Sequence, residues 1–170
     1  MISQYLCAVI SRELSTVQDE LLAYPDEADI WVTPDGVANS AGNLALHLAG
    51  NLKHFIGAKL GGTAYVRNRE LEFGARGIPR DELLAELSAT TGIVEQVLGE
   101  LSLEELDDEF PTGVPGLSVH TVDFLIHLAS HLAYHAGQIN YHRRIVTGIS
   151  GEVKAVRIPK LHSARIERGH

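Results

Sequence analysis

Apolar residues recur every three to four positions in four long stretches of the chain, a spacing typical of amphipathic α-helices. The predicted helices cover residues 2–24, about 41–60, about 80–101 and about 119–147. Ser40 is placed to cap the start of the second helix, and Gly148 follows the last periodic residue of the fourth. Four long helical patterns without a convincing strand pattern predict an all-α fold, most simply a four-helix bundle.

The connection between the second and third helices is unusually long. Residues 63–79 show no clear periodicity, and loops of this length in compact domains are often functional. A capping-box pattern at residues 102–105 predicts a short helical turn after the third helix. We therefore expect one bundle domain over residues 1–148 and a basic tail over 149–170, which either packs along the bundle or stays mobile.

Composition narrows the class of protein. The chain has 170 residues, 45% of them hydrophobic and 21% charged, as in an ordinary single globular domain. A net charge of −8 argues against binding to nucleic acid, which depends on a surplus of Lys and Arg. No stretch reaches the ~18 apolar residues of a membrane span, and the N-terminus does not read as a signal peptide. With a single cysteine, Cys7, these features favour the cytoplasm.

The fourth predicted helix carries an unusual concentration of histidine. Four of the nine histidines fall between residues 127 and 142. At about 100° per residue, His127, His131 and His135 lie along one stripe, and His142 falls in the same sector. A pair of histidines four residues apart can bind one metal ion, and His47 on the second helix can supply a third ligand. The helical arithmetic permits either 127/131 or 131/135 as the pair.

A histidine on an apolar helical face is more often a hydrogen-bonded core residue than a metal ligand. Several imidazoles buried together without partners, however, would cost ~1–3 kcal/mol for each unsatisfied group. A shared cation removes that cost, because each neutral imidazole then donates a lone pair to it. The pattern therefore favours a metal site.

Three stretches of the sequence resemble the DinB/YfiT-like superfamily of bacterial proteins. They are HLAGNL on the second helix, RELEFGARGIPRDELLAEL around the start of the third, and HLASHLAYHAGQI on the fourth. The resemblance covers about residues 1–147. It implies a four-helix bundle with a three-histidine metal site formed by His47, His131 and His135. His127 matches a further histidine of many members that is not the usual ligand.

The resemblance also implies a chemistry. Members with assigned activities are similar to thiol transferases that use bacillithiol, mycothiol or glutathione. We expect a divalent transition metal, with zinc first and nickel, iron or cobalt as alternatives, and a low-molecular-weight thiol as co-substrate. A metal-dependent hydrolase and a non-catalytic metal or small-molecule binding protein remain alternative hypotheses.

Further polar residues are candidates for supporting roles near the metal. They are Asn43, Asn51, Asp123, His127 and Gln138. Arg67, Arg69 and Arg76 in the long connection are candidates for binding an anionic thiol cofactor, against the alternative of ordinary solvated loop charges. His162 and His170 in the tail have no assigned role.

The fourth helix also predicts a homodimer. Between residues 122 and 139 it is apolar nearly all round, which requires cover on two sides. The face expected to look inward comprises Phe124, Leu128, His131 and His135. The opposite flank comprises Leu125, Ala129, Leu132, Ala133, Ala136 and Ile139, and a second chain or the tail would cover it.

Overall fold

The computed structural model describes residues 1–112, 116–151 and 153–165, and this part of the chain is helical. Its α-helices are α1 (Ile2–Leu22), α2 (Ala41–Leu52), α3 (Arg69–Gly74), α4 (Arg80–Glu100), α5 (Leu103–Asp107) and α6 (Thr121–Thr147). Short 3₁₀ segments occupy Glu27–Trp31 and Ile158–Lys160. Over the described ranges no strand forms beyond an isolated bridge between Glu109 and His120. The predicted all-α class is confirmed.

The four long helices pack pairwise around one apolar core. α1 contacts α4 and α6, and α2 contacts the same two helices. The core is formed by the apolar stripes that the sequence pattern predicts, and its members include Ile10, Leu14, Val17, Leu44, Leu48, Leu87, Val94, Leu128 and Leu132. None of the helices in the described ranges is long and apolar enough to cross a membrane.

Several helix ends follow the predicted local chemistry. The Ser40 hydroxyl accepts a hydrogen bond from the Asn43 backbone N–H, as expected for an N-cap. Ser102 and Glu105 form the predicted capping box at the start of α5. Gly148 ends α6 with a φ of 68°, a left-handed conformation that glycine adopts without strain.

The second helix departs from the prediction of one regular helix over residues 41–60. α2 ends at Leu52 and continues as a π-helix over Lys53–Leu60. The widened turns run against α4, where a Cβ at Gly57 would lie 3.1 Å from Ile93. Glycine permits this close approach, and π-helical turns are frequent near functional sites.

The long connection contains a helix that the sequence pattern did not predict. α3 occupies Arg69–Gly74 and packs against α2, with the Asn68 side chain capping its first turn. The expectation of an irregular connection was therefore wrong over these six residues. A helix of under two turns is too short to show a 3.6-residue hydrophobic period.

The orientation of α6 contradicts the reasoning behind the predicted dimer. On the flank assigned to a partner chain, Leu125, Leu132, Ala136 and Ile139 are buried within this chain, and Ala129 packs against the core. Only Ala133 of that flank is exposed. The reason is that α6 packs between α1 and α2, so this chain itself covers two sides of the helix.

The tail packs on the rest of the chain over its described residues. Arg157 pairs with Asp19 on α1, and the Lys160 ammonium donates to the Ser15 hydroxyl at 2.9 Å. Arg143, wholly buried beside Glu20 on α1, donates to the Gly151 carbonyl at 2.8 Å. Of the two alternatives, the structure thus favours the packed tail. His170 lies outside the described residues.

Candidate metal centre

Three histidines meet where α2 packs against α6. The Nε2 atom of His131 lies 3.3 Å from Nε2 of His47 and 3.1 Å from Nε2 of His135. One nitrogen from each ring lies within 4.8 Å of the other two. We call these residues the histidine triad. The pair on α6 is thus 131/135, one of the two that helical arithmetic allowed.

The spacing of the triad nitrogens fits the donor set of a metal ion. Imidazole nitrogens bind zinc at about 2.0–2.1 Å, which places tetrahedral ligands about 3.3–3.4 Å apart. The observed separations of 3.1 and 3.3 Å lie close to that value. His47, His131 and His135 would hold such an ion and leave a fourth position for another ligand.

Hydrogen bonds on the far side of two rings determine which nitrogen is free. The His47 Nδ1 lies 3.0 Å from Oε2 of Glu72, and the His135 Nδ1 lies 2.6 Å from Oε1 of Gln138. Both oxygens accept, so each Nδ1 carries the proton and donates it. On the other side of the rings, the Nε2 atoms of His47 and His135 both face Nε2 of His131.

The surroundings keep two members of the triad, His131 and His47, in the form that binds metals. Burial lowers the pKa of His131 to about 4, and the neighbouring His135, His47 and His127 add to the effect. Burial also lowers the pKa of His47, although its hydrogen bond to Glu72 opposes this. At neutral pH these two imidazoles are uncharged, as metal ligation requires.

Glu72 is a site residue that sequence reasoning missed. It lies on α3 with 4% of its surface exposed, and Arg67 donates to both of its oxygens at 2.7 and 2.9 Å. Burial alone would raise the pKa of Glu72, but the hydrogen bonds from Arg67 and His47 outweigh it and lower the pKa. The residue lies in the stretch RELEF, which carries part of the family resemblance, yet only the unpredicted α3 brings it to His47.

The three arginines of the connection occupy different surroundings. Arg67 is committed to Glu72, and Arg76 donates to the Asn43 side chain at 2.8 Å and to nearby backbone carbonyls. Arg69 lies over the Phe73 ring at 5.5 Å, and that ring is 4.9 Å from His47. Arg67 is therefore a largely buried internal contact, whereas Arg76 is hydrogen-bonded to the chain and still exposed to solvent.

Asn43 and Asn51, the two asparagines expected to have supporting roles near the metal, lie on α2 and are both buried. Asn43 donates to the backbone carbonyls of Glu72 and Ala75 at 2.9 and 3.0 Å. It thus holds the segment that carries Glu72, rather than touching an imidazole itself. Asn51 lies one turn beyond His47.

His127 lies beside the triad without joining it. Its ring is 6.1 Å from that of His131 and is exposed to solvent. His127 and Asp123 line a cavity of about 320 Å³, together with Leu117, Val119 and Phe124. Within the described residues no hydrogen bond joins Asp123 to His127, so Asp123 does not orient this imidazole.

His142 belongs to the core despite sharing the angular sector of the triad. It is buried, its Nδ1 accepts from the Tyr24 hydroxyl at 2.7 Å, and its Nε2 donates to the Val32 carbonyl at 2.8 Å. Two turns along α6 separate it from His135. His162 contacts the ring of Tyr5.

Comparisons with known proteins relate this chain to a solved structure of similar fold and to a protein family. A protein from Enterococcus faecalis, described as the conserved protein of a locus, matches with a TM-score of 0.70 and 20% identity, over 88% of this chain and 99% of that chain. Identity at that level supports the fold alone. A search of curated proteins found no match. A family model described as "Protein of unknown function (DUF1572)" matches residues 2–162, and the chain therefore belongs to the DUF1572 family.

Proposed function

We propose that this protein is a metal-dependent enzyme of DinB/YfiT type, in which the histidine triad binds a divalent transition metal. One observation carries the proposal: three Nε2 atoms converge at 3.1 and 3.3 Å, with two of the rings held at Nδ1 by Glu72 and Gln138. The pairwise packing of four long helices supports the finer assignment to a four-helix bundle.

The reaction we propose is transfer of a low-molecular-weight thiol, such as bacillithiol, to an electrophilic carbon. The thiol gives up its proton, its sulfur bonds to the carbon, and the leaving group departs with the electrons of the broken bond. An ion held by three neutral imidazoles retains its positive charge and would lower the pKa of a thiol. Zinc is the first expectation, with nickel, iron and cobalt as alternatives.

Residues of this chain would bind the ion, orient its ligands and form the pocket for the second substrate. His47, His131 and His135 bind the ion, while Glu72 and Gln138 orient two of the rings. The cavity beside His127 has mainly apolar walls and a size suited to an electrophile of about one or two rings. We assign that cavity to the second substrate.

Bacillithiol and its relatives carry carboxylates, which arginine recognises. Arg69 is the arginine of the connection that best fits this role. Within the described residues no ion pair or hydrogen bond joins it to an acidic side chain, and its neighbour Phe73 packs on His47. We propose the cytoplasm as the location, because a reducing compartment keeps both the thiol substrate and Cys7 reduced.

The test begins with metal analysis of protein purified without a histidine tag. We expect about one divalent metal per chain, lost on replacing all three triad histidines by Ala and retained in His162→Ala. The metal-loaded protein should then consume a free thiol in the presence of monochlorobimane, and the triple variant should not.

Other outcomes separate the rival functions. Hydrolysis of an ester or amide without any thiol would support a metal-dependent hydrolase. Tight metal binding with neither activity would support a binding protein. A triple variant that still binds one metal per chain with high affinity would contradict the site itself.

A further inference from the structure

The carboxylate of Glu72 occupies a gap in the surface of α2 that exists because residue 50 is glycine. A Cβ at Gly50 would lie 3.0 Å from Cδ of Glu72 and closer still to its Oε1. The Tyr65 hydroxyl would lie 3.2 Å from the same Cβ. A side chain at position 50 therefore cannot coexist with Glu72 in its present place.

Glu72 is held in this gap from three directions. Arg67 donates to both carboxylate oxygens, and Asn43 donates to the backbone carbonyl of Glu72. The third contact is with His47, whose Nδ1 lies 3.0 Å from Oε2. Because the side chain is buried and its oxygens are both engaged, it has little freedom to adopt another rotamer.

The contacts at Nδ1 of His47 decide where this imidazole carries its proton. The Arg67 Nη2 lies 3.2 Å from Nδ1, while Glu72 Oε2 lies at 3.0 Å. An unprotonated Nδ1 would face the carboxylate oxygen with two lone pairs opposed. A protonated Nδ1 donates to Glu72, and Arg67 then acts on the carboxylate alone. The carboxylate therefore keeps the proton on Nδ1 and leaves Nε2 free.

We propose that Glu72 is the positioning residue that holds His47 in the Nδ1–H tautomer, with Nε2 directed at the other two histidines. Its carboxylate fits against α2 because residue 50 is glycine. The tautomer and ring orientation are properties of the chain without metal. Only the consequence for metal affinity rests on the proposed function.

The first experiment measures the tautomer directly in metal-free protein. Long-range ¹H–¹⁵N NMR distinguishes a protonated from an unprotonated imidazole nitrogen. We expect the Nδ1–H form of His47 in the unmodified chain and a mixture of tautomers in Gly50→Ala and Glu72→Ala. Gly50→Ala tests the gap, and Glu72→Ala tests the carboxylate without touching α2.

Gly137→Ala is a matched control. Gly137 lies on α6 only two residues from His135, and a Cβ there meets nothing within 4 Å. Both substitutions add one methyl group to a helix that carries a triad histidine. A general effect of Gly→Ala on helices would appear in both variants, whereas displacement of Glu72 would appear only in Gly50→Ala.

A double variant tests whether the two positions act through each other. Glu72→Asp shortens the carboxylate by one methylene, which makes room for the methyl group in Gly50→Ala. We expect Gly50→Ala with Glu72→Asp to recover part of the Nδ1–H signal that Gly50→Ala loses. Circular dichroism should show that every variant keeps its helical content.

The metal measurement is a second and separate readout. By competition with a zinc chelator, Gly50→Ala and Glu72→Ala should bind zinc about 10- to 100-fold more weakly, while Gly137→Ala should match the unmodified protein. If the unmodified chain binds none of zinc, nickel, iron and cobalt, the proposed function fails, and the NMR result still decides the role of Glu72. A His47 tautomer unchanged in Glu72→Ala and Gly50→Ala would overturn the inference.

Discussion

Oε1 of Gln138 lies 2.6 Å from Nδ1 of His135, one helical turn back along α6. The contact resembles the one between Glu72 and His47, since the amide oxygen is placed to accept a hydrogen bond from Nδ1 of His135. One ring is thus held by a charged group from another element and the other by a neutral group from its own helix. The two supports differ in charge, and substitutions can separate them.

Gln138→Ala removes the acceptor of His135 and should weaken zinc binding about 10-fold. Gln138→Glu keeps an oxygen at the same position and should bind zinc at least as well as the unmodified chain. Chelator competition measures both affinities. Ser130→Ala, which removes an exposed hydroxyl from the same helix, is the control. Equal affinities in Gln138→Ala and the control would show that this hydrogen bond does not support the site.

Asn43→Ala should destabilise the fold through the connection between α2 and α4. The Asn43 amide is buried and donates to the carbonyls of Glu72 and Ala75, so its loss leaves both acceptors without this partner. We expect a loss of about 1–3 kcal/mol in the free energy of unfolding. Urea denaturation measures it. Asn39→Ala, on the loop before α2, should change the value by less than about 0.5 kcal/mol. Similar losses in the two variants would contradict the anchoring role.

His142 should make the fold sensitive to acid. Burial lowers its pKa, although its bond to the Val32 carbonyl and the charge of Asp29 oppose the shift. In the unfolded chain the imidazole takes up a proton near pH ~6.5, while in the fold it stays neutral to lower pH. Its contribution to stability is therefore complete above pH ~6.5 and is lost as pH falls toward the lowered value, by at most about 1.4 kcal/mol per pH unit.

Urea titrations between pH 7.5 and 5.5 measure this contribution. His142→Gln should be less stable at pH 7.5, since it disturbs the contacts to Tyr24 and Val32, but its stability should fall less steeply with acid. His162→Ala, in the exposed tail, should keep the slope of the unmodified chain. A slope unchanged in His142→Gln would mean that the acid sensitivity arises elsewhere.

The homodimer remains a prediction, although the flank expected to form its interface is core. The outer side of α6 instead exposes Ile126, Tyr134, Tyr141 and Ile145, with Tyr134 at 65% and Tyr141 at 67%. Light scattering should give the mass of two chains for the unmodified protein and of one chain for Tyr134→Lys with Tyr141→Lys. Val66→Lys, at an exposed site in the connection, should leave the mass unchanged. A mass of one chain for the unmodified protein would contradict the predicted homodimer.

The sequence by itself determined the parts of this protein that depend on neighbours along the chain. The 3.6-residue hydrophobic period, the cap at Ser40 and the stop at Gly148 each act within a few residues, and the helices begin and end close to where these signals place them. The stripe of histidines on α6 followed from the same arithmetic. So did the all-α class.

The tertiary structure decided what lies opposite each helical face. Angular position alone placed His142 in the same sector as the triad. In the structure its ring instead lies in the core and is hydrogen-bonded to the Tyr24 hydroxyl. Helical position also put Leu125 and Leu132 on an outer flank, whereas both are buried in the structure. A helical wheel does not show how many neighbouring helices cover a helix. Glu72 reaches His47 across 25 residues through a helix too short to have a period. Such contacts depend on packing between distant segments, which local sequence patterns do not encode.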